Sequence, residues 1–170
     1  MMPPRNASCC VVAIALIASG CEISFDPTGA EHQTYSQYTA NGGGDWFDVT
    51  GASDISHSTA MTQDGYDAWW RFSVSETDFD RIVTNVVAKE SGPEAVVFHK
   101  DASKPPKWKP DADPPDWWSA FEADPAKAMH WCHQAGDAER HHGWIFIYDV
   151  DGGIAWCWHW NHQWSSAQCS

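Results

Sequence analysis

The sequence predicts an α+β fold: a mainly antiparallel sheet that contains a C-terminal three-stranded meander, with one amphipathic helix. Three patterns carry this prediction. Side chains alternate between two faces from Tyr66 to Val74, and apolar residues repeat at helical spacing from Phe79 to Val87. The run Asp151-Gly152-Gly153 separates two strand-like segments, as the turn of a β-hairpin does.

The alternating segment from Tyr66 to Val74 is expected to be a half-buried strand, because successive side chains of a strand point to opposite faces. One face would carry Ala68, Trp70, Phe72 and Val74, and the other Asp67, Trp69, Arg71 and Ser73.

The predicted helix follows Ser75-Glu76-Thr77-Asp78, which supplies N-cap candidates and acidic first-turn residues, and it ends before Gly92-Pro93. Its apolar stripe consists of Phe79, Ile82, Val83, Val86 and Val87. A short strand from Ala95 to His99 is expected next. The proline-rich stretch from Lys104 to Pro115 predicts an extended surface loop, because proline fixes φ.

The C-terminal meander is predicted from three strand-like segments: Lys127 to Gln134, Gly143 to Val150, and Ile154 to Trp160. A two-residue turn or a four-residue loop between the last two places Ile145, Ile147, Trp156, Trp158 and Trp160 on one face. The opposite face would carry Trp144, Phe146, Tyr148, Cys157 and His159. We expect one face to pack on the helix and the other to lie under the proline-rich loop.

Composition narrows the classes of function. The formal net charge of -13 argues against nucleic-acid binding, because an acidic surface repels phosphate backbones. The 12 tryptophans are concentrated in pairs and alternations, and their bulk would compensate for a small aliphatic core.

The N-terminus is typical of an export signal. Arg5 precedes an apolar run from Cys9 to Ala18 that is too short to span a membrane, which takes about 20 apolar residues. The residues Ala18-Ser19-Gly20-Cys21 resemble a lipobox, the motif at which bacterial lipoprotein precursors are lipidated and cut. This resemblance implies a lipid on Cys21. The alternative is a secreted protein cut near Gly20, with Cys21 a plain thiol.

We therefore predict a signal peptide over residues 1–20, a flexible tether over 21–44 and a single α+β domain over 45–170. The tether prediction depends on the polar segment from Glu22 to Gly44, which lacks apolar periodicity and ends in Asn41-Gly42-Gly43-Gly44.

Part of the body resembles small uncharacterised bacterial lipoproteins. The resemblance is carried by Thr50-Gly51-Ala52-Ser53-Asp54-Ile55, by Trp70-Arg71-Phe72 and by Asp78-Phe79. It covers roughly residues 48 to 160. It supports the predicted fold and implies no activity.

Histidines near the C-terminus are candidate ligands for zinc or copper. The four candidates are His130, His133, His159 and His162. On strands, the members of each pair would point to opposite faces, so the spacing alone favours histidines that hydrogen-bond or cover aromatic surface.

Three cysteines follow Cys21: Cys132, Cys157 and Cys169. An exported protein keeps disulfides, and three cysteines allow one bridge within the monomer. The first and third strands of a meander lie about 9 to 10 Å apart, which argues against a bridge between Cys132 and Cys157. We expect Cys169 to bond to Cys157, with Cys132 as its alternative partner.

The sequence as a whole predicts a lipid-anchored cell-envelope protein with a binding, structural or assembly role, without enzymatic activity and without a cofactor. Its partners would be the membrane and an envelope protein or glycan. Metal binding through the histidines is a second hypothesis. Carbohydrate binding by exposed tryptophans, for example towards peptidoglycan, and a hydrolase site among the acidic residues are further hypotheses.

Overall fold

The computed structural model describes residues 28–90, 99–100, 110, 112–120, 128–136 and 141–162. The predicted signal peptide, Cys21 and Cys169 lie outside these residues, as do most of the proline-rich stretch and most of the strand predicted from Ala95 to His99. None of the described helices is long and apolar enough to cross a membrane.

The described part contains seven strands and three helices. The strands are β1 (Thr28–Gln33), β2 (Ser53–Met61), β3 (Gly65–Ser73), β4 (His99–Lys100), β5 (Ala128–Gly136), β6 (His141–Asp149) and β7 (Ile154–His162). The helices are α1 (Tyr35–Ala40), α2 (Gly43–Trp46) and α3 (Glu76–Glu90).

The strands form one antiparallel sheet in the order β1-β2-β3-β7-β6-β5-β4. The α+β class is confirmed, but the sheet is larger than the predicted three-stranded meander. The strands β5, β6 and β7 do pair in succession, and four further strands extend the sheet on both sides of them. The prediction of one helix also falls short, because α1 and α2 precede α3.

The turn between β6 and β7 is a four-residue loop closed by the pair Asp149 and Ile154. Gly153 takes a φ of +62°, which suits glycine, and its N–H donates to the Asp149 carbonyl at 2.9 Å. This register produces the predicted alternation of side chains on β6 and β7.

The two faces of the sheet are covered differently. On one face α3 and the segment around α2 bury an aromatic and aliphatic cluster, and we call this the helix-covered face. On the other face the irregular residues 112–120, here the covering segment, pack on a second cluster, and we call this the segment-covered face. The side chains of β3, β6 and β7 divide between the two faces as the alternation predicted.

Two predictions about individual segments are wrong. Strand β3 is not half-buried, because Trp70 on one face and Asp67 and Trp69 on the other are all exposed by 2% or less. The prediction of a tether over 21–44 is wrong for residues 28–44, because these residues contain β1, α1 and the start of α2. Strand β1 pairs with β2, and Thr34 opens α1 with a reciprocal capping box to Gln37.

Candidate functional site

Asp67 is a fully buried carboxylate near the start of β3. Alternation along the strand places it on the segment-covered face beside Trp69, and it stands opposite Ala60 on β2 and Trp160 on β7. A buried carboxylate is tolerated only where hydrogen bonds or charges replace the water it has lost.

The partners of Asp67 come from three parts of the chain. The indole N–H of Trp158 donates to Oδ1 at 2.9 Å, and the backbone N–H of Ala112 donates to Oδ2 at 2.9 Å. Nε2 of His162 lies 3.2 Å from Oδ1, a close contact without the alignment of a hydrogen bond. Asp67 therefore joins β3, β7 and the covering segment.

His162 extends this contact to a hydroxyl group. Thr62 Oγ1 lies 3.3 Å from His162 Nδ1, which gives the order hydroxyl, imidazole, carboxylate found in catalytic triads. The imidazole is 1% exposed and Asp67 is 0% exposed, so both lie in the interior. We call Asp67, His162, Thr62, Trp158 and the Ala112 N–H the Asp67 cluster.

An open cleft of about 500 Å³ lies between strands β1 and β2, at one edge of the sheet, and the covering segment. Its lining includes three exposed carboxylates, from Glu31, Asp113 and Asp116, together with the half-buried ring of Trp117. The backbone N–H of Trp118 donates to the Pro115 carbonyl at 2.8 Å, and the turn closed by this bond forms the cleft wall beside Trp117. Such a lining accepts hydrogen bonds and attracts cations.

Most of the described tryptophans are buried in the interior. Of the nine whose side chains the structure describes, seven are buried, so those that lie on strands offer no exposed row for a sugar. Trp117 is half-buried in the cleft, and Trp46 is 59% exposed.

The described residues contain no group of three His, Cys, Asp or Glu side chains able to hold a metal ion. His159 stacks on Trp144 of the helix-covered face at 4.2 Å, whereas His162 joins the Asp67 cluster on the other face. The two therefore point apart, as their spacing predicted. For His130 and His133 the structure describes only the backbone, which lies in β5.

The predicted bridge between Cys157 and Cys169 is wrong. Cys157 is a free thiol, 0% exposed on the helix-covered face, and burial raises the pKa of this thiol well above its usual range. Cys132, by contrast, is disulfide-bonded. A bridge between Cys132 and Cys157 is absent, as the sequence argument expected.

Comparison with family models, curated proteins and solved structures gives no match for this chain.

Sequence reasoning placed Asp67 on the correct face but gave it no role. The available signal was a single acid inside a strand whose neighbours, Ala68 to Trp70, are all apolar. The covering segment that supplies its second hydrogen bond could not be inferred from alternation alone, since Ala112 is 45 residues further along the chain.

Proposed function

We propose that this protein is exported, is anchored by a lipid on Cys21 and has a binding or structural role in the cell envelope. The support for the anchor is the order of a cation at Arg5, a short apolar run and the lipobox-like residues Ala18 to Cys21. Two or more acyl chains on one cysteine anchor a protein stably, whereas one chain does not.

A single observation supports binding above catalysis: the acceptor-lined cleft is open to solvent, whereas the triad-like contacts are not. A catalytic hydroxyl and its base must reach a substrate. In this chain the carboxylate of Asp67 accepts a hydrogen bond from the covering segment, and the imidazole of His162 is buried against that carboxylate. The cleft, whose wall that segment forms, is the better place for a ligand.

The anchor is tested by Cys21→Ser in the full-length chain expressed in a bacterium. We expect the wild type in the membrane fraction with its mass increased by a lipid, and the variant in the soluble exported fraction. Cys157→Ala is the matched control, because it also removes a cysteine but should leave the lipid in place. Membrane retention of the Cys21→Ser protein would overturn the anchor.

Glycan binding is a second candidate, favoured by the ring of Trp117 beside the carboxylates of Glu31, Asp113 and Asp116. Aromatic rings pack against the apolar faces of sugars, and carboxylates accept hydrogen bonds from hydroxyl groups. Soluble peptidoglycan fragments are a suitable probe in a calorimetric titration. Trp117→Leu should weaken binding roughly tenfold, equivalent to about 1.4 kcal/mol.

The control for this titration is Trp46→Phe, which alters an exposed indole outside the cleft. Equal losses in the two variants would show that the cleft is not the binding site. Absence of binding by the wild type would remove the glycan candidate and leave the anchor proposal unaffected.

A further inference from the structure

The start of β1, the hairpin between β2 and β3, and the end of β7 lie at the same end of the sheet. Thr28 stands opposite Thr59, and Gly65 stands opposite His162. We call this the hairpin end. The turn between β6 and β7, with exposed Val150, lies at the opposite end.

An apolar patch lies at the hairpin end, on the helix-covered face. It consists of Trp46, Met61 and Tyr66, and we call it the hairpin-end patch. Trp46 is 59% exposed and Met61 is 50% exposed, and these are two of the three large exposed apolar side chains in the described residues. The rings of Trp46 and Tyr66 are 5.6 Å apart, and Met61 is paired with Tyr66 across the hairpin.

The backbone around α2 holds Trp46 outward. No residue of α2 is buried, whereas the next residue, Phe47, is 2% exposed and fixes the end of the helix in the core. Gly43 packs directly on the ring of Tyr38, where an added Cβ would come within 2.2 Å of a ring carbon. The indole is thus presented to its surroundings by a firmly packed backbone.

The chain enters the fold at this same end. Cys21 precedes Thr28 by seven positions, so the link between them spans at most about 25 Å when fully extended. The predicted tether of 23 residues, Glu22 to Gly44, would have reached about 80 Å. Strand β2 has nine residues at about 3.4 Å each, so the opposite end of the sheet lies roughly 30 Å away, beyond the reach of the shorter link.

We infer that the hairpin-end patch rests in the interface of the membrane that carries the lipid on Cys21, with Trp46 as the interfacial anchor. This inference rests on the proposed lipid anchor. Tryptophan suits this depth, because its ring is apolar and its N–H reaches water or headgroups. Asp45 and Asp64 flank the patch and repel anionic headgroups, so contact with zwitterionic lipid is favoured.

The test uses the full-length lipidated protein, its lipid verified by mass, in phosphatidylcholine vesicles with and without brominated acyl chains. Bromine quenches only indoles that reach the acyl boundary. We expect quenching in the wild type and the loss of most of it in Trp46→Phe. Equal quenching of the two proteins, or none in either, would overturn the inference.

The matched control is the double variant Trp46→Phe/Val150→Trp, which keeps the number of indoles and moves one to the opposite end of the sheet. It should be quenched no more than Trp46→Phe, and quenching at the wild-type level would also overturn the inference. If Trp46 responds to soluble peptidoglycan fragments and not to bromolipid, the patch binds glycan instead.

The two proposals fail in distinguishable ways. A chain whose mass shows no lipid on Cys21 contradicts the anchor and removes this inference with it. A lipidated chain whose Trp46 is unaffected by bromolipid contradicts the inference alone.

Discussion

The two faces of the sheet bury similar aromatic side chains but fasten their covers by different means. On the helix-covered face, Phe79 of α3 stacks on Tyr148 at 4.8 Å, and α3 contributes four buried apolar residues. On the segment-covered face, the cover is fixed through a backbone N–H that donates to the buried carboxylate of Asp67. The helix is held by apolar area, and the covering segment by the buried side chains of Trp118 and Ala120 together with a hydrogen bond to a charge.

The difference follows from the backbone of each cover. A helix satisfies its own N–H and C=O groups, so it needs only an apolar stripe to pack on a sheet. The irregular covering segment must find partners for its backbone groups, because an unpaired buried group is costly. Asp67 supplies such a partner for Ala112, and the charge of Asp67 is in turn tolerated because Trp158 and His162 also contact it.

Indole N–H groups reach different acceptors on the two faces. On the segment-covered face Trp158 donates to Asp67, whereas the N–H groups of Trp69, Trp156 and Trp160 are buried without a hydrogen-bond partner among the described residues. On the helix-covered face Trp70 donates to the hydroxyl of Tyr38, which in turn donates to the carbonyl of Phe47 at 2.8 Å, whereas the N–H of Trp144 is buried without a partner among the described residues. The acceptor is thus a carboxylate on one face and a neutral hydroxyl on the other.

The largest effect is expected on the helix-covered face, from Phe79→Ala. Removing this fully buried ring leaves a cavity beside Tyr148, and such changes lower the free energy of unfolding by about 3 to 5 kcal/mol. Denaturant unfolding followed by circular dichroism measures the loss. Phe79→Leu is the control and should lose clearly less, because it retains most of the apolar volume; equal losses would show that packing volume does not hold α3.

A smaller but more local effect is expected from Asp67→Asn. The amide keeps one acceptor oxygen and replaces the other by an N–H₂ group, so Trp158 or the Ala112 N–H loses its acceptor. An unsatisfied buried donor costs about 1 to 3 kcal/mol. Hydrogen exchange should show the Ala112 amide losing protection while the amides of α3 keep theirs.

Asp64→Asn makes the same change of charge at the exposed hairpin and is the control for Asp67→Asn. Its unfolding free energy should stay within about 0.5 kcal/mol of the wild type, as for most surface changes. If the two variants lose equal stability, or if Ala112 stays protected in Asp67→Asn, the buried carboxylate does not hold the covering segment.

Patterns of period two predicted which side chains share a face on β3, β6 and β7, because alternation is a local property of any strand. The sequence did not reveal β1. Thr28–Gln33 is a short polar edge strand, with a register shift between Ala30 and Gln33 and a positive φ at His32. Its strand conformation depends on pairing with β2, which no local pattern encodes, so the segment was predicted to be a tether.

The errors at the candidate sites have the same origin. Cys157 was predicted to bond to Cys169 because the C-terminal residues could fold back, but the depth of Cys157 under the helices follows only from the assembled core. Asp67 was visible as an acid among apolar neighbours. Its partners Ala112 and Trp158 are 45 and 91 residues away, and only the tertiary fold brings them together.

The smallest expected effect concerns the edge of the helix-covered face, where Asp48 links α1 to the loop before β2. Hydrogen bonds from Thr50, whose hydroxyl donates at 2.6 Å, lower the pKa of Asp48, and the Tyr35 hydroxyl also donates to it. Because the folded pKa is below the unfolded value of about 3.9, this contribution is complete above that pH and is lost as the pH falls through the folded pKa.

The carboxylate of Asp48 is partly exposed, so we expect its contribution to be below about 1 kcal/mol. Unfolding free energies of the wild type and Asp48→Asn, measured from pH 7 to pH 3, should differ at pH 7 and converge at the acid end. Asp45→Asn is the control for loss of one negative charge and should run parallel to the wild type. A constant gap between the unfolding free energies of Asp48→Asn and the wild type would mean that Asp48 acts through its shape and not through its charge. Apolar packing would then stabilise the helix-covered face as far as its edge.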